Sequence, residues 1–124
     1  MKKSYGYWIF TVLAVLWLAP SGVADAMRLP AVVAILARLG YPAYVGIILG
    51  VCKLFGIAAI LYPRTRLLRE WAYAGFTFDL LGGFVSHLAV HDPVLTALTP
   101  LFVLAFVAGS YLLRPDHLKL RAAA

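Results

Sequence analysis

Apolar residues fall into four long runs separated by short polar stretches, at about 7–24, 44–62, 71–88 and 94–113. Each run is 18 to 20 residues long, roughly 27–30 Å as a helix, which matches the hydrocarbon thickness of a bilayer. In lipid a spanning segment must satisfy its own backbone polar groups, so the pattern predicts helices. The expected fold class is all-α: a single-domain integral membrane four-helix bundle over residues 1–124.

The connections refine this picture. Pro63-Arg-Thr-Arg-Leu-Leu-Arg69 reads as a tight basic turn that makes the second and third spans antiparallel neighbours. His91-Asp92-Pro93 ends the third span and opens the fourth, because proline is accepted in a first helical turn. Between the first two spans, Leu29-Pro30 opens a short helix in which Val32, Leu36 and Leu39 share one face, and Gly40 stops it. Such a segment is expected to lie on the membrane surface as an interfacial helix. The start of the chain, with Lys2-Lys3, an apolar run and Ala24-Asp25-Ala26, also resembles a secretory signal. That run is long enough to span, however, and the bundle needs it as a fourth partner.

Charge sets the orientation. Apolar residues make up 64% of the chain and charged residues 13%, far from the balance of a soluble domain. The net charge of +6 forms no continuous basic stripe, so nucleic acid is not an expected partner. Eight Lys and Arg (Lys2, Lys3, Arg64, Arg66, Arg69, Arg114, Lys119 and Arg121) fall on one side of a four-span arrangement, and only Arg28 and Arg38 on the other. Basic residues mark the cytoplasmic side, so both termini are expected there. Tyr5, Tyr7, Trp8, Tyr62, Trp71, Tyr73 and Tyr111 then form an inner aromatic belt, with Tyr41 and Tyr44 at the outer surface.

Candidate chemistry is sparse. Lys53 lies ten residues before Pro63 and Asp79 nine residues after Glu70, so the two charges reach about the same depth. Each alone costs roughly 2.5–3.5 kcal/mol near a bilayer centre, which predicts an interhelical Lys53–Asp79 ion pair. The pair either fixes helix register or floors a binding or proton-handling cavity, to which Ser86 and His87 would add polar groups. Asp25 reads as an exposed loop carboxylate, Cys52 as a buried inert thiol, and Glu70 as a carboxylate favouring a helix N-terminus. Gly46-x-x-x-Gly50, then Gly75 and Gly82 beside Ala72, Asp79 and Ser86, and Ala105-x-x-x-Gly109 form small-residue faces for close helix packing. His87 and His91 have i, i+4 spacing, but Asp92-Pro93 already turns the chain, and no metal site is expected. There is no phosphate-binding loop or nucleophile motif, and hence no expected catalytic residue.

Gly40-Tyr-Pro-Ala-Tyr44, Leu49-Gly-Val-Cys-Lys-Leu-Phe-Gly56, Glu70-Trp-Ala-Tyr-Ala-Gly-Phe-Thr-Phe-Asp79, Ser86-His87, Asp92-Pro93 and Ser110-Tyr111 together resemble the DoxX-like membrane proteins. The resemblance implies a four-span protein of the bacterial inner membrane. The wider DoxX group is named after a subunit of a thiosulfate:quinone oxidoreductase, so quinone is a cofactor or ligand the resemblance allows; no haem, flavin or thiol-pair motif accompanies it. His91 departs from the family pattern, where a glycine is expected before Asp-Pro. Three functions are open at this point. One is an accessory subunit or binder of a small quinone-like or lipid-like ligand in membrane redox metabolism, not an enzyme on its own. A second is an oligomeric proton-coupled transporter. The third is a scaffold or assembly factor for a membrane protein partner.

Overall fold

A computed structural model describes residues 2–62 and 66–119, with residues 2 and 3 as backbone only. Five α-helices and one 3-10 turn make up the described residues: α1 (Lys2–Ala26), α2 (Pro30–Leu39), α3 (Tyr44–Leu61), α4 (Arg66–Ala89), α5 (Val94–Leu113) and the turn Asp116–Leu118. The four long helices form a ring in which α1 packs on α3 and α5, and α4 packs on the same two. Segments Ser4–Ala26, Tyr44–Leu61 and Val94–Leu113 are long and apolar enough to cross a membrane. The chain is thus a transmembrane helical bundle. Its fourth long helix, α4, carries Arg69, Glu70, Asp79 and His87.

Helix ends follow local stereochemistry. Pro30 starts α2 in a first-turn position, where the missing N–H is no loss. Gly40, at φ 89°, ends it: its N–H donates to the Ala37 carbonyl and that of Tyr41 to Leu36. This pairing closes a helix with one left-handed residue. The same pattern ends α1 at Arg28 (φ 51°) and α4 at His91 (φ 59°), with Asp92 N–H donating to the His87 carbonyl. Left-handed backbone favours glycine, which accounts for the glycine expected where His91 stands.

The core runs along the ring's axis through Ala14, Leu18, Ile57, Ile60, Tyr73, Phe76, Leu80, Val103 and Val107. Buried polar groups interrupt it. Thr11 and Ser110 share a hydrogen bond of 2.5 Å, and Tyr73 hydroxyl joins Ser110 at 2.7 Å. Arg69 is 1% exposed. Its guanidinium donates to Tyr7 hydroxyl at 3.1 Å, to the Ile60 carbonyl, and to the Tyr62 carbonyl at 2.8 Å. At the same end, Arg114 pairs with Glu70 at 3.2 Å and lies over the Tyr111 ring.

Several expectations change. Helix α4 begins at Arg66, not near Trp71, so Arg69 is a core residue of a helix rather than a turn charge; Pro63, Arg64 and Thr65 of the expected turn lie outside the described residues. Tyr7 and Tyr73 belong to the buried interior, not to an aromatic belt, because their hydroxyls find internal partners. Cys52 is exposed, not buried. Glu70 balances Arg114 instead of an open helix end.

Glycine packing is uneven. A Cβ added at Gly50 would sit 2.5 Å from the Gly22 carbonyl oxygen and collide with the Ala26 backbone nitrogen. At Gly46 it would meet the Asp25 carbonyl oxygen and Leu36, each at 3.1 Å, and at Gly109 the Phe10 ring at 2.7 Å. These three glycines let α3 approach α1 and α2, and α5 approach α1. Gly75 and Gly82 are different: a Cβ at either meets nothing within 4 Å, so among the described residues no helix packs on them.

Two stability outcomes follow from this geometry. Gly50→Ala forces α1 from α3 and is expected to cost about 1–3 kcal/mol, the usual range for overpacking, whereas Gly75→Ala is expected to be neutral or slightly stabilising; thermal unfolding in detergent separates the two. His91→Gly relieves a left-handed side chain and is expected to add roughly 0.5–1 kcal/mol, read as a higher midpoint in the same assay.

Candidate functional site

The charged cluster lies where α1 and α3 cross most closely. Gly22, Gly46 and Gly50 bring the two backbones together, and one turn beyond Gly50 the side chain of Lys53 meets the last turn of α1. Its ammonium donates to Asp25 Oδ2 at 2.7 Å and to Ser21 Oγ at 3.0 Å. Asp79 of α4 stands at 3.9 Å, beyond hydrogen-bond reach but within ion-pair distance. Side-chain exposures of 13%, 13% and 21% for Lys53, Asp25 and Asp79 put all three largely inside the protein.

Asp25, expected on an exposed loop, is therefore the main counterion of Lys53. The reason is the length of α1, which continues helical to Ala26 and turns the carboxylate inward. The expected Lys53–Asp79 contact exists only as the longer arm of a three-residue cluster. Asp25 could have been found from Ser21-x-x-x-Asp25, which places a hydroxyl and a carboxylate on one helical face facing the small-residue stripe of α3.

Ser86 and His87 lie nearer the α2 end and join a separate group. His87 Nδ1 meets Asp92 Oδ2 at 2.5 Å, and Asp92 Oδ1 accepts from Arg38 Nη1 of α2 at 2.6 Å. Ser86 shares a hydrogen bond of 2.8 Å with Tyr41 hydroxyl, just past α2. Together they tie the short helix down onto the end of α4. Asp92 has this reach because the left-handed turn at His91 folds it back over the last turn of α4. The sequence marks Arg38 as an outer-side charge and Tyr41 as an outer-surface aromatic, but neither carries a spacing signal that joins it to α4.

Two concavities meet at the cluster. A groove of about 750 Å³ runs between α3 and α4, lined by the small residues Gly56, Ala59, Ala72 and Gly75 and by the aromatic Phe55, Trp71 and Phe78. A cavity of about 330 Å³ lies under α2, reaching Ser21, Asp25, Val32, Ile35, His87 and Thr99. Leu49, Lys53 and Asp79 line both. The groove is apolar apart from these two charges, so it suits a hydrocarbon body with one polar end. Among the described residues no group of three or more His, Cys, Asp or Glu could hold a metal ion.

The roles within the cluster predict different responses. Asp25→Asn removes the hydrogen-bonded counterion and leaves Lys53 the 3.9 Å contact with Asp79, so it is expected to lower the unfolding midpoint, by no more than the roughly 3–5 kcal/mol that breaking a buried pair costs. Asp79→Asn leaves the 2.7 Å pair intact and is expected to shift the midpoint little. Equal destabilisation by both, measured by thermal unfolding in detergent, would contradict this division.

No curated protein and no solved structure matches the chain. A family model does, over residues 9–110, from the second turn of the apolar segment of α1 to the Ser110 that bridges Thr11 and Tyr73. With that span covering the cluster, the groove and the α2 tie, the chain belongs to the DoxX-like family.

Proposed function

We propose that this protein crosses the bacterial cytoplasmic membrane four times, with both termini cytoplasmic, and binds a small amphiphile, quinone-like or lipid-like, at the Asp25–Lys53–Asp79 cluster. Four crossings are supported by how α4 disposes of its polar groups. Arg69 is buried against α1 and the end of α3, and Glu70 pairs with Arg114. Charges satisfied inside a bundle are those a membrane helix tolerates. The orientation rests on the excess of Lys and Arg at one end.

The observation that carries the binding reading is that Lys53 and Asp79 line both the lateral groove and the cavity beneath α2. A ligand dissolved in the bilayer can lie along the groove and present its polar end to the charges without leaving the apolar phase. A part in membrane redox metabolism, as an accessory to a partner and not as an enzyme, is supported by the family's group alone. Proton-coupled transport is the second reading. It is favoured by Asp79, a carboxylate that accepts no hydrogen bond from the described residues and borders both concavities.

Protein purified in mild detergent and extracted for mass spectrometry is expected to carry an amphiphile at close to one per chain. Asp79→Asn and a groove-filling Gly75→Leu should each lower that occupancy at least tenfold while remaining folded. Wild-type protein free of any such molecule, or variants carrying as much as wild type, would refute the binding reading; proton-dependent solute uptake by reconstituted vesicles, abolished in Asp79→Asn, would favour the second.

A further inference from the structure

The charges around the cluster do not balance within it. Lys53 faces two carboxylates, and its hydrogen bonds go to Asp25 and Ser21. Asp79, at 3.9 Å, receives none from the described residues, and its side chain remains 21% exposed toward the concavities it lines. The remaining charged groups near the cavity cannot offset it. Asp92 lies between Arg38 and His87, so Arg38, the cation on that side, is already paired. When Asp79 is ionised, one negative charge is left over at a place where an uncompensated ion is costly.

We infer that the ligand's polar end is a cation: the site takes an amphiphilic amine or ammonium compound, with the charge against Asp79 and the apolar body in the groove between α3 and α4. This rests on the amphiphile reading above and narrows it. An anion would approach two carboxylates and find the ammonium already occupied. A carbonyl acceptor could take the third N–H of Lys53 but would leave the charge of Asp79 without a partner. A cation restores neutrality, and the aromatic faces of Phe55, Trp71 and Phe78 along the groove are compatible with a positive head passing over them. Trp71 is eight residues before Asp79 on the same helix, about 12 Å away along the axis. An alkyl chain anchored at Asp79 and lying in the groove therefore passes the indole. Gly75, between them, offers open space where any side chain would obstruct it.

Trp71 provides the readout. In a Trp8→Phe, Trp17→Phe background it is the sole indole, since the chain has three tryptophans. That protein, in nanodiscs of zwitterionic lipid, is titrated with dodecylammonium, dodecanol and dodecanoate, each brominated on its terminal carbon to quench indole fluorescence. The ammonium probe is expected to quench saturably, at least tenfold more tightly than the other two. Asp79→Asn should remove that preference and leave the weak alcohol response unchanged. Gly75→Leu, whose site is open to the outside of the bundle, should abolish quenching by all three with no loss of fold. Equal affinity for ammonium and alcohol, or a preference for the carboxylate, would overturn the cationic assignment while leaving an amphiphile site in place. A preference that survives in Asp79→Asn would overturn it as well. Absence of saturable quenching by every probe would instead overturn the amphiphile reading itself.

Discussion

The contact between Lys53 and Asp25 is the interaction around which the rest of this molecule is arranged. An ammonium in the middle of an apolar helix is tolerable only if a carboxylate reaches it from another helix. That requirement joins α1 to α3, and the glycines at 22, 46 and 50 reduce the gap so that the 2.7 Å pair can form. Once α1 and α3 are fixed together, α4 and α5 complete the ring, and Asp79 is brought alongside a cation that already has its partner. The spare carboxylate at the meeting of groove and cavity is thus a product of how the helices pack. It is the one carboxylate of the cluster that accepts no hydrogen bond from the described residues, and for that reason the proposed function is placed there.

The two ends of the bundle are secured differently. At the end holding Tyr7 and Arg114, arginines close the open ends of helices: Arg69 donates to the last carbonyls of α3, and Arg114 to the carbonyl of Tyr111 in α5. Cations suit helix C-termini because the dipoles of the final carbonyls point toward them. At the opposite end, left-handed residues at 28, 40 and 91 close the helices by backbone bonds, leaving Arg38, Tyr41, Ser86, His87 and Asp92 free to hold α2 against α4. The first end is welded into the core, and the second is a clasp over a cavity.

Much of this was legible in the sequence. Run lengths gave the long helices, Pro30 and Gly40 bounded the short one, and small residues at 46, 50 and 109 marked close approaches. The site was half legible: Lys53 and Asp79 stand out because charges are rare in such runs, and their matched depth follows from the hairpin. Asp25 did not stand out because it sits where a helix could equally have ended, and one further turn of α1 moves it from loop to interior. Arg69 was obscured for a related reason. In a basic stretch near a membrane surface every arginine resembles an orientation charge, and only the packed structure shows that one of them turns inward. Gly75 and Gly82 misled in the opposite direction, since a small-residue stripe has the same spacing whether it faces a helix or open space.

Arg69 also bears on how the chain is assembled. The carbonyls of Ile60 and Tyr62 are among those a helix leaves open at its C-terminus, and here a side chain from the following helix satisfies them. On its own, α3 would leave those oxygens to find a donor outside the protein. With α4 beside it, the gap is closed. Helix α4 thus supplies the donor for two carbonyls at the end of α3, and Tyr7, the third partner of the same guanidinium, gives the α3–α4 pair a fixed point at which to receive the first helix.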